Sequence, residues 1–247
     1  MAKIVMIGSA RIDENGNAHG GKAGDQKNGK EVSTQEWYKH SKGWRVFRAK
    51  DPAKAEIIAK TMEWACASDL IGYDQYQRNT LYNELKKAGF NGDPVLTKAV
   101  ETDCSALVRV CLAFAGIDVP ADFYTASMAK TMLATGEIVE LTGSKYTDSP
   151  DYLGRGDILV TASKGHTVVV LTNGEKYEGE VAMAEPEGDL KVKPGTWRIR
   201  TGPSTNYDTV EYARGGDVLT EVKADGWILV QLGSSRVGWI SKNAVEE

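Results

Sequence analysis

Apolar residues recur at three- and four-residue spacing after Asp51-Pro52, with Ala55, Ile58, Ala59, Met62, Ala65 and Cys66 on one face. The spacing predicts a helix over residues 51–68, opened by proline at its first position. Leu81, Leu85 and Ala88 predict a short second helix ended by Gly89. The apolar run from Ala106 to Ala115, closed by Gly116, predicts a third, and residues 127–135 predict a fourth. After Gly136 the pattern changes. Residues 138–141, 157–162, 166–171 and 176–181 read as short strands, the last two joined through Asn173-Gly174. Helices followed by a largely antiparallel sheet make an α+β domain.

The first 50 residues are rich in Gly, Asn and Lys and read as ordered loop, with Gly20-Gly21-Lys22-Ala23-Gly24-Asp25-Gln26 as their most distinctive run. Residues 183–188 read as a linker. Beyond it, turn signals at Gly195, Gly202-Pro203, Gly215-Gly216, Gly226 and Gly233 predict a small all-β module.

A chain of 247 residues with 41% hydrophobic positions buries a sizeable core in one large domain or two smaller ones. The net charge of −4 and the scatter of the 30 basic residues give no reason to expect nucleic-acid binding. The apolar stretch at Ile4 to Ile7 is too short for a signal-peptide core, and no later run approaches a membrane span. Synthesis in the cytoplasm without a signal peptide, and no membrane insertion, are therefore expected. Cys66, Cys104 and Cys111 lack the paired spacing of a disulfide framework or a zinc site. Asp13-x-Asn15-x-Asn17 begins like a calcium loop, but Ala18 and Gly24 stand where such a loop needs Gly and Glu. Neither a cofactor nor a metal is expected.

The candidate chemistry lies at Asp103-Cys104-Ser105, where a polar stretch meets the third helix. At a helix N-terminus, unpaired N–H groups and the helix dipole favour a thiolate and draw the thiol pKa below its free value of about 8.5. His166 opens a β-branched strand and is placed to act as general base. His19, among glycines, and His40, in the charged run Lys39-His40-Ser41-Lys42, are poorer candidates. Cys111 and Cys66 sit in apolar surroundings and read as core.

Asp103-Cys104-Ser105-Ala106-Leu107-Val108, followed by Gly154-Arg155-Gly156-Asp157-Ile158-Leu159-Val160 and Gly165-His166-Thr167-Val168-Val169-Val170, resembles the NlpC-type cysteine peptidases. These are papain-like hydrolases of bacterial peptidoglycan, related to the CHAP enzymes. Tyr73-Asp74-Gln75 together with residues 20–26 is similar to phage endolysins of Gram-positive hosts. Trp197 to Tyr207, Gly226-Trp227 and Gly238-Trp239-Ile240-Ser241 look like a bacterial SH3 domain, a type that binds cell walls. In that module Trp197, Tyr207, Trp227 and Trp239 are candidates for ligand stacking or for the barrel core.

The resemblance implies a papain-like catalytic domain over residues 1–184 and an SH3-like barrel over 189–247, with 183–188 as linker. It implies Cys104 as nucleophile, His166 as base, and Tyr73 beside the Cys104 N–H as a stabiliser of the oxyanion. It also implies a third polar residue twelve positions after His166, which here is Glu178 where the family usually has histidine. The competing reading of Glu178 is a solvent-facing strand glutamate. A three-residue Thr172-Asn173-Gly174 loop with a bulge is expected, because it pairs Val168 with Glu178 and brings the carboxylate to the face of His166. The implied partner is peptidoglycan, reached after lysis; whether the scissile bond is the muramoyl-alanine amide or a stem-peptide bond stays open. The rivals are a non-catalytic wall-binding protein and a host autolysin, which needs an export signal. Met183, preceded by Glu178-Gly179-Glu180, is compatible with an internal translation start and hence a free C-terminal fragment that associates with the full chain.

Overall fold

In the computed structural model, residues 3–26, 29–163, 165–177, 189–200, 205, 209–225, 227–232 and 236–245 are described, with backbone alone at 189, 210, 220–225, 229, 231–232 and 236–239. The chain divides into two units, Met1–Glu178 and Gly179–Glu247. Glu178 and Met183 lie outside the described residues.

The first unit runs β1 (Met6–Ala10), β2 (Val32–Glu36), β3 (Trp44–Ala49), α1 (Pro52–Cys66), β4 (Ile71–Tyr73), α2 (Thr80–Lys86), β5 (Val100–Thr102), α3 (Cys104–Phe114), α4 (Met128–Ala134), β6 (Ile138–Leu141), α5 (Ser144–Thr147), β7 (Ile158–Thr161) and β8 (Thr167–Val170). Six of these strands form one antiparallel sheet in the order β2-β1-β8-β7-β3-β6. β4 and β5 pair in parallel as a separate ribbon. The unit is α+β, as the sequence predicts, but half of its main sheet comes from the first 50 residues, which the sequence reads as loop. β1, β2 and β3 escape notice because their polar and charged residues find partners only across the fold. Arg45 forms an ion pair with Glu140 at 2.7 Å, and Arg48 one with Asp157 at 2.7 Å.

The sheet is covered on both faces. Val169 and Leu171 share a core with Ile58 and Met62 of α1 and Leu107 and Val108 of α3, while Val168 and Val170 share another with Ile7, Trp44, Val46 and Leu159. A strand buried on both sides reads in sequence as a continuous apolar run rather than an alternating one, as Val168-Val169-Val170-Leu171 does.

The Gly154-Arg155-Gly156-Asp157 motif fastens α1 to this sheet. Arg155 binds Glu56 and Glu63 of α1 at once and also donates to the Leu171 carbonyl. Gly156 has φ +88°, and a Cβ there would lie 2.2 Å from the Ala55 carbonyl oxygen, so the close passage of β7 under α1 requires glycine. Asp157 holds Arg48 through two 2.7 Å hydrogen bonds and accepts the Gly154 N–H at 2.7 Å.

The expected second strand does not begin at residues 176–177, and residues 178–181 lie outside the described residues. β8 is paired on one edge with β7 and on the other with β1, which leaves no edge for a following strand. After Leu171 the chain turns instead toward residues 150–154, where Gly174 N–H donates to Leu153 O and Lys176 N–H to Asp151 O. The Tyr177 ring packs under the Arg48 guanidinium, 4.9 Å from its centroid.

In the second unit, β9 (Asp189–Lys191), β10 (Thr196–Arg200), β11 (Thr209–Arg214), β12 (Val218–Asp225), β13 (Trp227–Leu232) and β14 (Arg236–Ser241) pair antiparallel in the order β11-β10-β14-β13-β12-β9. A small core of Val192, Ile199, Ala213, Ile228, Val230, Ile240, Ala244 and Val245 fills it. Trp197 packs on that core and donates to the Lys193 carbonyl, so it is at least partly structural.

Candidate active site

Cys104 is the first residue of α3, and Asp103 caps the helix by accepting the Ala106 N–H at 2.7 Å. Arg78 holds that cap from behind: its guanidinium forms an ion pair with Asp103 at 2.7 Å and donates to Ser105 Oγ and the Phe123 carbonyl. The nucleophile candidate therefore stands on a helix end whose geometry is locked by three side chains.

The backbone N–H groups of Ser105 and of Thr167, the residue that follows His166, act on the Cys104 sulfur in favour of its thiolate. This places the sulfur against the start of β8. His166 itself is held by a reciprocal link to β7: its N–H donates to Thr161 Oγ1 at 3.0 Å and its carbonyl accepts the Thr161 N–H. It lines a cleft of about 480 Å³ with Arg11, Ile12, Gln35, Tyr38 and His40.

Electrostatics differ from the sequence expectation. Burial pushes the Cys104 thiol up to about 12, reinforced by the Asp103 charge and only partly offset by the two N–H groups and Arg78. The helix N-terminus is present, but loss of water outweighs it. Burial likewise lowers His166 to about 4, with His40 and Arg11 acting in the same direction. Both groups are neutral near pH 7. Burial also holds the Cys66 and Cys111 thiols up.

Tyr73 ends β4 and is buried, with its hydroxyl accepting from Gln75 Nε2 at 3.0 Å. Burial and the neighbouring Cys104 keep its proton in place. The glycine-rich run of residues 20–26 wraps this strand: Gly20 N–H donates to Asp74, and Glu31 joins the Gln26 and Tyr73 N–H groups through its two oxygens. A Cβ on Gly72 would meet the Gly24 carbonyl oxygen at 2.5 Å. The likeness of these two separated motifs to endolysins thus has a physical counterpart in their direct packing. Asp13 accepts the Asn15 and Asn17 N–H groups through one oxygen, forming a turn of its own. Among the described residues no group of three or more His, Cys, Asp or Glu is arranged to hold a metal ion.

A family model of the endolysin-like domain matches residues 7–177, more than half of the chain. The chain belongs to the endolysin-like domain family. The match begins inside β1 and ends at Tyr177, so it takes in the N-terminal strands that the sequence alone leaves as loop. Membership suggests a cell-wall lytic function with peptidoglycan as substrate. No curated protein sequence matches the chain significantly. Among the described residues no helix is long and apolar enough to cross a membrane.

Cys104, at the start of α3, acts electrostatically on Tyr73 of β4 and feels the Thr167 N–H, next to His166. Arg11, Gln35, Tyr38 and His40 line the cleft with His166; the sequence reads all four within a loop and weighs only His40, as a poorer base than His166. A usable signal was present for Arg11: a cation directly after the apolar stretch that forms β1. Glu178 lies outside the described residues, and the second edge of β8 is paired with β1.

Proposed function

We propose that this endolysin-like protein is a cysteine hydrolase of peptidoglycan, with Cys104 as nucleophile and His166 as general base. The observation that supports it best is the placing of a helix-start cysteine, whose sulfur feels the Thr167 N–H, against the strand that begins beside His166. As the substrate carbonyl enters, the Cys104 S–H proton passes to the imidazole while the sulfur attacks the carbonyl carbon. The carbonyl π electrons move to oxygen. Cys104 N–H, one of the first helical N–H groups without an intrahelical acceptor, and the protonated Tyr73 hydroxyl are the donors for that oxyanion. The imidazolium then protonates the departing amine, leaving an S-acyl enzyme. His166 next takes a proton from water as its oxygen attacks the acyl carbon; the C–S bond then breaks, the acid product leaves, and the imidazolium returns its proton to the Cys104 sulfur. Because both groups rest neutral, proton transfer accompanies attack rather than preceding it. Gln35 and His40 line the cleft and carry the hydrogen-bonding groups needed to orient the imidazole.

The pH dependence tests this directly. The base form of His166 is lost only as pH falls through about 4, so the acid limb of kcat/KM on a soluble stem-peptide substrate is expected near there rather than near 6.5. A limb near 6.5 would count against His166 as a base in this environment. The same lowered value makes the unfolded chain bind the proton more readily. This contribution to stability is full above about 6.5 and is lost as pH drops toward 4, by on the order of 3 kcal/mol.

The second unit, a small antiparallel β structure, fits the proposed role of an SH3-like wall-binding module that raises the local enzyme concentration on an insoluble substrate. Deleting residues 179–247 is expected to slow clearing of intact cell walls by roughly tenfold or more while leaving cleavage of soluble fragments within about twofold. Equal loss on both substrates would assign the unit to folding rather than targeting. A free fragment starting at Met183 would appear as a C-terminally tagged band that disappears when that codon is replaced.

A further inference from the structure

Resting on the cysteine-hydrolase reading, we propose that Arg11 determines specificity by binding a free carboxylate of the peptidoglycan stem peptide. Arg11 follows the last residue of β1. The β1/β8 register, Ile7 opposite Val170 and Gly8 opposite Val169, carried onward sets Arg11 level with His166. The two side chains line the same cleft, and the positive charge of Arg11 acts on both His166 and Tyr38.

That charge has no carboxylate partner among the described residues. None of the ion pairs formed among the described residues includes Arg11, and its side chain makes only a long 3.4 Å hydrogen bond to Ser33 Oγ. The other arginines around the sheet, Arg45, Arg48 and Arg155, are each held by carboxylates. The cleft lining contains no Asp or Glu; beside the guanidinium it offers the Gln35 amide, the Tyr38 hydroxyl and two imidazoles. In a chain of net charge −4, an arginine that shares a cleft with the proposed base selects an anion. A guanidinium fork matches a planar carboxylate through two parallel N–H···O bonds, which an ammonium cannot reproduce. The stem peptide supplies two kinds of carboxylate, at its glutamyl residue and at its C-terminus, and each is neutral when amidated.

The test uses the full-length protein and synthetic stem peptides with the glutamyl carboxylate, the C-terminal carboxylate, or neither amidated. The wild type is expected to favour the free acid at one of the two positions by roughly ten- to a hundredfold, mainly through KM, and that position identifies the group bound. Arg11→Gln is expected to erase the preference, and Arg11→Lys to keep part of it. Because the readout is a ratio of substrates within each variant, partial misfolding cancels. Equal use of all three peptides by the wild type, or a preference that survives Arg11→Gln, would overturn the proposal. Binding of the same peptides to Cys104→Ala protein, measured by calorimetry, separates the two readings. Residual turnover by that variant would sink the nucleophile assignment, whereas loss of discrimination in binding bears on Arg11 alone.

Discussion

Replacing Cys104 by serine is expected to lower wall lysis by roughly three orders of magnitude or more, with little change in thermal melting. The serine oxygen fits the site, which is already built to surround a small buried side chain, so the fold persists. The chemistry does not persist. Even with burial pushing the thiol up to about 12, sulfur is the better nucleophile and gives up its proton to His166 more readily than a hydroxyl does. Turbidity clearing of purified walls, with the melting curve as control, measures this. Retention of a tenth of the activity would reject the nucleophile assignment, whereas a wild type that clears no walls would favour a wall-binding protein built on the same scaffold. The elevated thiol values also carry a consequence for labelling: alkylation at neutral pH is expected to be slow at all three cysteines, so the speed of modification is a poor guide to the nucleophile here.

Asp157→Ala is expected to cost about 3–5 kcal/mol and to lower the melting temperature of the first unit by about 10 °C. The Asp157 side chain is only 1% exposed and pairs with an Arg48 side chain that is 21% exposed. Removing the carboxylate leaves a half-enclosed guanidinium with the Tyr152 carbonyl and the Tyr177 ring as its remaining partners. It also strips the Gly154 N–H of its acceptor. Differential scanning calorimetry of the full chain, following the transition of the larger unit, provides the check. A shift under about 2 °C would mean that the pair contributes little and that packing of α1 carries this end of the sheet.

Parts of the site were legible in the sequence and parts were not. Cys104 at the start of an apolar run, capped by Asp103, is a local pattern, because a helix N-terminus is defined by residues within a few positions of one another. His166 before four apolar residues is likewise local. Gly154-Arg155-Gly156-Asp157 was visible as a motif, but the partners that explain it, Glu56, Glu63, Ala55 and Arg48, lie about a hundred residues earlier. The position of Glu178 comes from the resemblance alone; the hairpin register expected for it needs a free edge of β8, and pairing on both edges of β8 is a property of the whole sheet.

By itself the sequence determined what depends on neighbours along the chain: α1 through its three- and four-residue apolar spacing, the capped start of α3, the doubly buried strand β8, and the change of character beyond residue 188. Only the tertiary structure decided that Met6–Ala10, Val32–Glu36 and Trp44–Ala49 are strands. In the third of these, Arg45 and Arg48 contradict a strand pattern until Glu140 and Asp157 are brought against them. It alone placed Arg11, Gln35, Tyr38 and His40 around His166, since a cleft gathers residues by strand order and not by sequence distance. It also reversed the direction of the Cys104 shift. A helix dipole can be read from the chain, but the water removed from a sulfur depends on every segment that covers it.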